Sequence, residues 1–406
     1  MTTATLTAKE KLALLFENKN FKDNIELRSE GKNALEKLQS PDRKTEDWKY
    51  SPVSFITKNN YKVYEKELDE KLFHHLVISN DHHHALFGNG IFLMKEDEGE
   101  LCSVRKKDIN LVSDISKNIF TALNAAHFTC GNFLHVPANT IKKETIHFIH
   151  LSTDNHYNVI RHQIHVEKNS SAEIILSFYS AGEQSFSNVV TEIVCEENAS
   201  VKLHLLQMEG KNAAQYSHVY CRQQNNSRFE INTFSQGGDW IRNDLDIIVN
   251  GENCETHLNG LYLPKGKQHI DNHTLVDHKK PNCFSSEMYK GVMSENSTGV
   301  FNGKVFVRPD AQKINAYQQN ANILLSDEAT INSKPELEIY ADDVKCSHGS
   351  TTGQLDEEAM FYLRSRGVGE ENAGKLLVHA FVNEVIEKNS NKEIREFLYH
   401  KTGLEE

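Results

Sequence analysis

A parallel β-helix flanked by helical regions is the fold class that the sequence predicts, and three observations carry that prediction. Short alternating runs such as TIHFIHLS, VIRHQIHV, VKLHLLQM, LDIIVN and KVFV fill residues 130 to 345. Turn-prone asparagines recur there at Asn139, Asn169, Asn198, Asn226, Asn253 and Asn282, spaced 30, 29, 28, 27 and 29 residues apart. A second series, Asn155, Gly182, Gly210, Gly237, Gly266 and Asn296, runs at nearly the same period and half a step out of phase. Two turn series at one period describe a coil of about 28 residues with long sides and corners, where Asn and Gly supply positive backbone angles. An antiparallel sandwich would also place turns every 8–12 residues, but nothing in it requires segments to repeat in pairs.

Each flank has its own signature. Residues 1–40 read as helices, with Leu12, Leu15 and Phe16 forming one apolar stripe and Leu27, Ala34, Leu35 and Leu38 a second. Pro41 closes them, and TEDWKYSP at 45–52 reads as a segment whose aromatics, Trp48 and Tyr50, anchor a linker. After the strands, Leu355 to Arg366 reads as a helix with Asp356 near its start and Gly367 as its stop. A second helix spans about 370–388, with Leu376, Leu377, Ala380, Phe381 and Val385 on one stripe, and a third covers 392–399. The domains expected are therefore 1–129, helical and linker; 130–350, β-helix; and 351–406, helical.

Composition narrows the function. The 406 residues carry 57 acidic and 45 basic side chains, a formal charge of -12, which repels nucleic acid and anionic membranes. No run of about 18 apolar residues and no signal-peptide core is present, so a cytoplasmic protein is expected. The seven cysteines, at 102, 130, 195, 221, 254, 283 and 346, never show C-x-x-C spacing and read mostly as small buried hydrophobes. The 21 histidines are scattered; His74, His75 and the run His82 to His84 read as solvated loop in preference to a metal site.

Nucleotide-binding glycine loops, H-E-x-x-H and G-x-S-x-G are absent, so the chain is not expected to hydrolyse ATP itself. Asp239, Asp244 and Asp246 fit the carboxylates of a carbohydrate-active β-helix, the alternative function. They read better as turn and solvent-face residues. A self-contained metalloprotein is a third reading, and it predicts stoichiometric metal in the purified chain.

One pair carries chemistry. Cys346 and His348 stand two apart in KPELEIYADDVKCSHGSTTG, so in a strand both project from one face and offer a thiol and an imidazole together. As a bare C-x-H, the pair reads as a buried cysteine beside a hydrogen-bonded histidine. Leu337 and Ile339 put odd residues inward whereas Val344 is even, which predicts a bulge or corner near Asp342 and Asp343. Parity therefore leaves the facing of the pair open. The two aspartates read as a solvated corner in preference to iron ligands.

The segment ELEIYADDVKCSHGSTTGQLDEEAMFYLRSRG closely resembles the SufB/SufD family of the Suf iron-sulfur cluster assembly complex, on its SufD side. So do IDNHTLVDHKKPNCFSSEMYKGVM at 270–293, STGVFNGKVFVRPDAQKINAYQQNANILLSD at 297–327 and TEDWKYSP. The resemblance implies a right-handed β-helix and a non-catalytic scaffold. It implies a SufB-like partner joined through the late strands and a SufC-like ATPase received on the C-terminal helices. His348 matches the histidine implicated in holding iron or the nascent cluster at that interface, and Cys346 the neighbouring cysteine. No tightly bound cofactor is then expected in the lone chain, and its exposed last strand predicts a homodimer in the partner's absence.

Overall fold

The computed structural model describes residues 6–19, 21–63, 67–93, 101–103, 112–153, 155–182 and 184–403. Two stacked sheets make the centre, and the chain alternates between them. One sheet orders Val344–Gly353, Ile314–Leu324, Phe284–Met293, Glu255–Tyr262, Arg228–Ser235, Ser200–Met208, Ser171–Ala181, Ile146–Thr153, His83–Gly88 and Ile91–Phe92. The other orders Thr330–Ile339, Thr298–Val307, His269–His278, Trp240–Val249, Ala213–Gln223, Ser185–Cys195, His156–Val166, Asn132–Val136 and Leu101–Ser103. Neighbours pair in parallel, except that the two short strands Ile91–Phe92 and Leu101–Ser103 add antiparallel at the N-terminal end. This is the parallel solenoid the turn spacing predicts.

The corners obey the backbone argument. All six asparagines of the first series adopt φ between 54° and 62°, and the coil after them turns at Lys313. Their side chains form ladders between coils: Asn169 Nδ2 donates to Asn139 Oδ1 at 2.9 Å and Asn198 Nδ2 to Asn169 Oδ1 at 2.8 Å. The second series holds less strictly. Asn155, Gly182, Gly237 and Gly266 have positive φ, Gly210 does not, and the last turn places it on Glu295 instead of Asn296. Gly210 is held otherwise, its N–H donating to Ser180 Oγ.

Inward-facing side chains of both sheets merge into one apolar interior running from Ala85 to Val344. Early coils stack aliphatics, as in the column Ile174, Leu203, Ile231 and Leu258. Later coils interlock large against absent: Tyr289 pairs with Gly260 and Tyr262 with Gly291. A Cβ on Gly260 would lie 2.2 Å from the Tyr289 ring, so glycine is required there by space.

The helices cover the outer faces. Helices α1 (Ala8–Leu14), α2 (Ile25–Lys37), α3 (Ser54–Lys58) and α4 (Ile119–His127) pack on the nine-stranded sheet. Leu12, Phe16, Leu27, Ala34 and Leu35 meet Tyr157, Phe186, Tyr216 and Trp240 there. Trp48 anchors the linker as expected, buried beneath the Arg242 guanidinium at 3.9 Å, whereas Tyr50 is exposed. Helices α5 (Glu357–Ser365), α6 (Glu370–Ile386) and α7 (Lys392–Thr402) follow the last strand, and α6 and α7 fold back over the ten-stranded sheet. Val382, Val385, Ile386, Ile394 and Leu398 bury against Ile175, Leu206, Phe234, Leu261 and Val292. The stripe expected on α6 is only partly used: Leu376 and Ala380 are exposed, because the buried contacts concentrate in the C-terminal half of the helix.

Candidate functional site at the open last coil

Strands Thr330–Ile339 and Val344–Gly353 end their respective sheets, each with no further strand on its outer side among the described residues. Between them lies the corner that parity predicts, at residues 340–343. Leu337 before it and Val344 and Cys346 after it all pack against the solenoid interior. The register places Cys346 over Ala316 and His348 over Gln318. Cys346 is half-buried and His348 is exposed. The expected pair is thus brought to one edge, on the inward-facing side of a coil that no further strand covers among the described residues.

The interior turns polar beneath this pair. The column that is aliphatic through Leu258 continues as Glu287, Gln318 and His348. Glu287 accepts from Thr274 Oγ1 at 2.6 Å and from Gln318 Nε2 at 2.7 Å. Burial pushes its carboxyl up to about 7, against the pull of those two hydrogen bonds. Beside it, Asn320 Nδ2 donates to Tyr262 Oη at 3.2 Å, Asn322 Nδ2 to Asn320 Oδ1 at 2.7 Å, and Ser333 Oγ meets Ser350 Oγ at 2.8 Å. Sequence reading missed this network. Its signal was available as SSEMYKG, a carboxylate at an inward position of a strand.

Burial also raises the Cys346 thiol, with the Ala316 backbone pulling the other way, so in the lone chain it is a protonated thiol at neutral pH. A metal taken there displaces that proton. The other cysteines whose side chains are described are buried, as expected; the Cys102 side chain lies outside the described residues. The aspartates of the carbohydrate alternative do not share one cleft: Asp239 is exposed and lines a surface cavity with Lys58 and Lys267, whereas Asp244 and Asp246 lie within strand Trp240–Val249 and are not the turn residues expected. Asp244 is buried against Arg242 at 2.9 Å and Asp246 meets His218 at 3.2 Å. Nor are His82 and His84 solvated loop: His82 is buried, and His84 lies half-buried in strand His83–Gly88.

Large aromatic side chains are exposed at and after the last coil. Helix α5 buries no residue, and Phe361 and Tyr362 on it are 75% and 57% exposed. Tyr340, at the corner, is also exposed. The class is therefore a parallel β-solenoid protein whose last coil is open and whose interior becomes polar toward that opening.

The family profile described as SUF system FeS cluster assembly, SufBD core domain, matches residues 148–381. The chain belongs to the SufBD family of iron-sulfur cluster assembly proteins. The iron-sulfur cluster assembly protein SufD of Escherichia coli is 26% identical over 377 residues, 89% of this chain and 88% of that one. A SufBD family protein of Synechocystis is 29% identical over 386 residues, 88% and 85% of the two chains. A chloroplastic protein of Arabidopsis thaliana is 35% identical over 234 residues, 57% of this chain and 49% of its own length. No helix among the described residues is long and apolar enough to cross a membrane.

Proposed function

We propose that this chain is a non-catalytic scaffold subunit of a cytoplasmic Suf assembly machine, joined by its last coil to a SufB-like partner and by its C-terminal helices to a SufC-like ATPase. Iron or the nascent cluster is the cargo, held where the two solenoid subunits meet. One observation carries the reading: the final strand presents Cys346 and His348 together at an unpaired edge. Imidazole and thiolate suit iron and nascent clusters, and two ligands leave coordination positions for a partner to fill. Similarity to the iron-sulfur cluster assembly protein SufD of Escherichia coli supports the same role.

The exposed apolar face of α5 fits an ATPase dock. Force applied there has a route to the interior. Helix α6 is tied to the sheet by Lys290, which donates to the Phe381 carbonyl at 2.9 Å and pairs with Glu384. Lys290 shares strand Phe284–Met293 with Glu287. ATP-driven movement of the helices would thus reach the polar column under His348.

The test is His348→Ala in the reconstituted three-protein complex, followed by cluster absorption. Loss of cluster formation with the complex intact is expected. Undiminished assembly would remove His348 from the site.

A further inference from the structure

At the opposite end of the solenoid, three histidines converge that the proposed function does not use. Strand His83–Gly88 and the residue before it bring His82 and His84 against His147 of strand Ile146–Thr153. Their ring centroids form a nearly equilateral triangle with sides of 6.3, 6.1 and 5.8 Å, and the planes are tilted 57–76° to one another like propeller blades. One ring nitrogen of each lies within 4.8 Å of those of the other two. We propose that His82, His84 and His147 are a binding site for a divalent transition-metal ion of the zinc class.

The hydrogen bonds assign the nitrogens. His82 Nε2 donates to Glu393 Oε2 at 2.8 Å, and His84 Nε2 donates to the Ser79 carbonyl at 3.0 Å. His147 Nε2 meets Ser177 Oγ at 2.7 Å. The Nδ1 atoms of His82 and His147 are buried and have no hydrogen-bond partner among the described residues. A buried polar atom left unsatisfied is costly, and with a ring nitrogen of each histidine within 4.8 Å of the others, a shared ligand would satisfy both. A carboxylate, a carbonyl and a hydroxyl behind three imidazoles are the outer partners that fix tautomer and ring orientation at metal sites.

At two of the three rings the protonated form is disfavoured. Burial holds His84 and His147 below the usual histidine range, with mutual repulsion among the rings adding to it. Neutral imidazoles keep their lone pairs available at pH 7. A tetrahedral ion with Zn–N of about 2.0–2.1 Å needs nitrogens roughly 3.4 Å apart, which small rotations of the broad ring torsions supply. Three protein ligands leave a fourth position open.

The test uses the full-length chain stripped with chelator, titrated with Zn²⁺ by calorimetry and with Co²⁺ by visible absorption. One equivalent is expected, with the Co²⁺ bands of a four-coordinate nitrogen site. His84→Ala, at a half-exposed position that leaves the core packed, should weaken binding by tenfold or more and abolish the zinc-induced rise in Tm. Glu393→Gln should weaken it by about 10–100-fold. His348→Ala with Cys346→Ser should leave this equivalent intact, which separates the site from the one at the last coil. Absence of a stoichiometric equivalent overturns the proposal. So does equal binding by His84→Ala and wild type, or loss only when the exposed His74 and His75 are replaced.

Discussion

Glu287 and His348 occupy one column of the solenoid interior, two coils apart, with Gln318 between them. The carboxyl at the bottom of that column sits at about 7 because burial penalises its charge. Its ordinary value of 4.5 returns on unfolding. The folded state therefore holds the proton more tightly. This stabilisation is complete below pH 4.5 and is lost as pH rises through 7. Glu287→Gln should erase up to about 3 kcal/mol of that dependence, read as the difference between variant and wild type in urea unfolding at pH 5 and pH 8. An unchanged difference across that range would mean that the carboxyl titrates normally.

Arg161 and Glu192 form a buried pair at 2.8 Å that also gathers Ser113 and Asn124. Burial alone would raise the Glu192 carboxyl, but the Arg161 charge and hydrogen bonds from Ser113 and Val112 hold it low. Arg161→Met should destabilise by about 3–5 kcal/mol, because it strands the carboxylate. The loss should be larger at pH 8 than at pH 5, where the stranded group takes up a proton. Equilibrium denaturation at the two pH values checks both statements.

The corner at Asn226, with φ of 57°, offers a test of the repeat itself. Asn226→Gly should change stability by only a few tenths of a kcal/mol. Asn226→Val should cost roughly 1–2 kcal/mol, since a β-branched residue resists the left-handed region. Thermal unfolding of the two variants at this exposed position distinguishes backbone strain from lost contacts.

On α5, Phe361→Ala with Tyr362→Ala should leave Tm within a degree or two, because neither ring is buried. If these rings anchor the ATPase, its affinity should fall by about 30-fold or more, as for aromatic anchors worth about 2 kcal/mol. Co-purification at the wild-type level would place the dock elsewhere.

The corners were the most readable part of the chain, because positive φ selects Asn and Gly and leaves a periodic mark in the sequence. The mark fades at Glu295 and Lys313, which take the same positive φ without being Asn or Gly. Cys346 and His348 were readable as a pair, but not their facing, which depended on how many residues the corner at 340–343 consumed. Glu287 and Gln318 were not read at all. Their meaning depends on which residues stack across coils 31 and 30 positions away, and strand alternation says nothing of that. The triangle of His82, His84 and His147 escaped for the same reason, since His147 arrives from a different strand.

The return of α7 to the start of the solenoid changes how the chain must be made. A stack of repeats ordinarily assembles neighbour upon neighbour, each coil settling as soon as its predecessor is in place. Here the His82 ring finds its carboxylate only at Glu393, 311 residues later. During synthesis the early coils wait with that face uncovered until nearly the whole chain has emerged, and the last helix then fastens the first coil. A truncation that spares every strand but removes α7 would leave a coil stack without its latch.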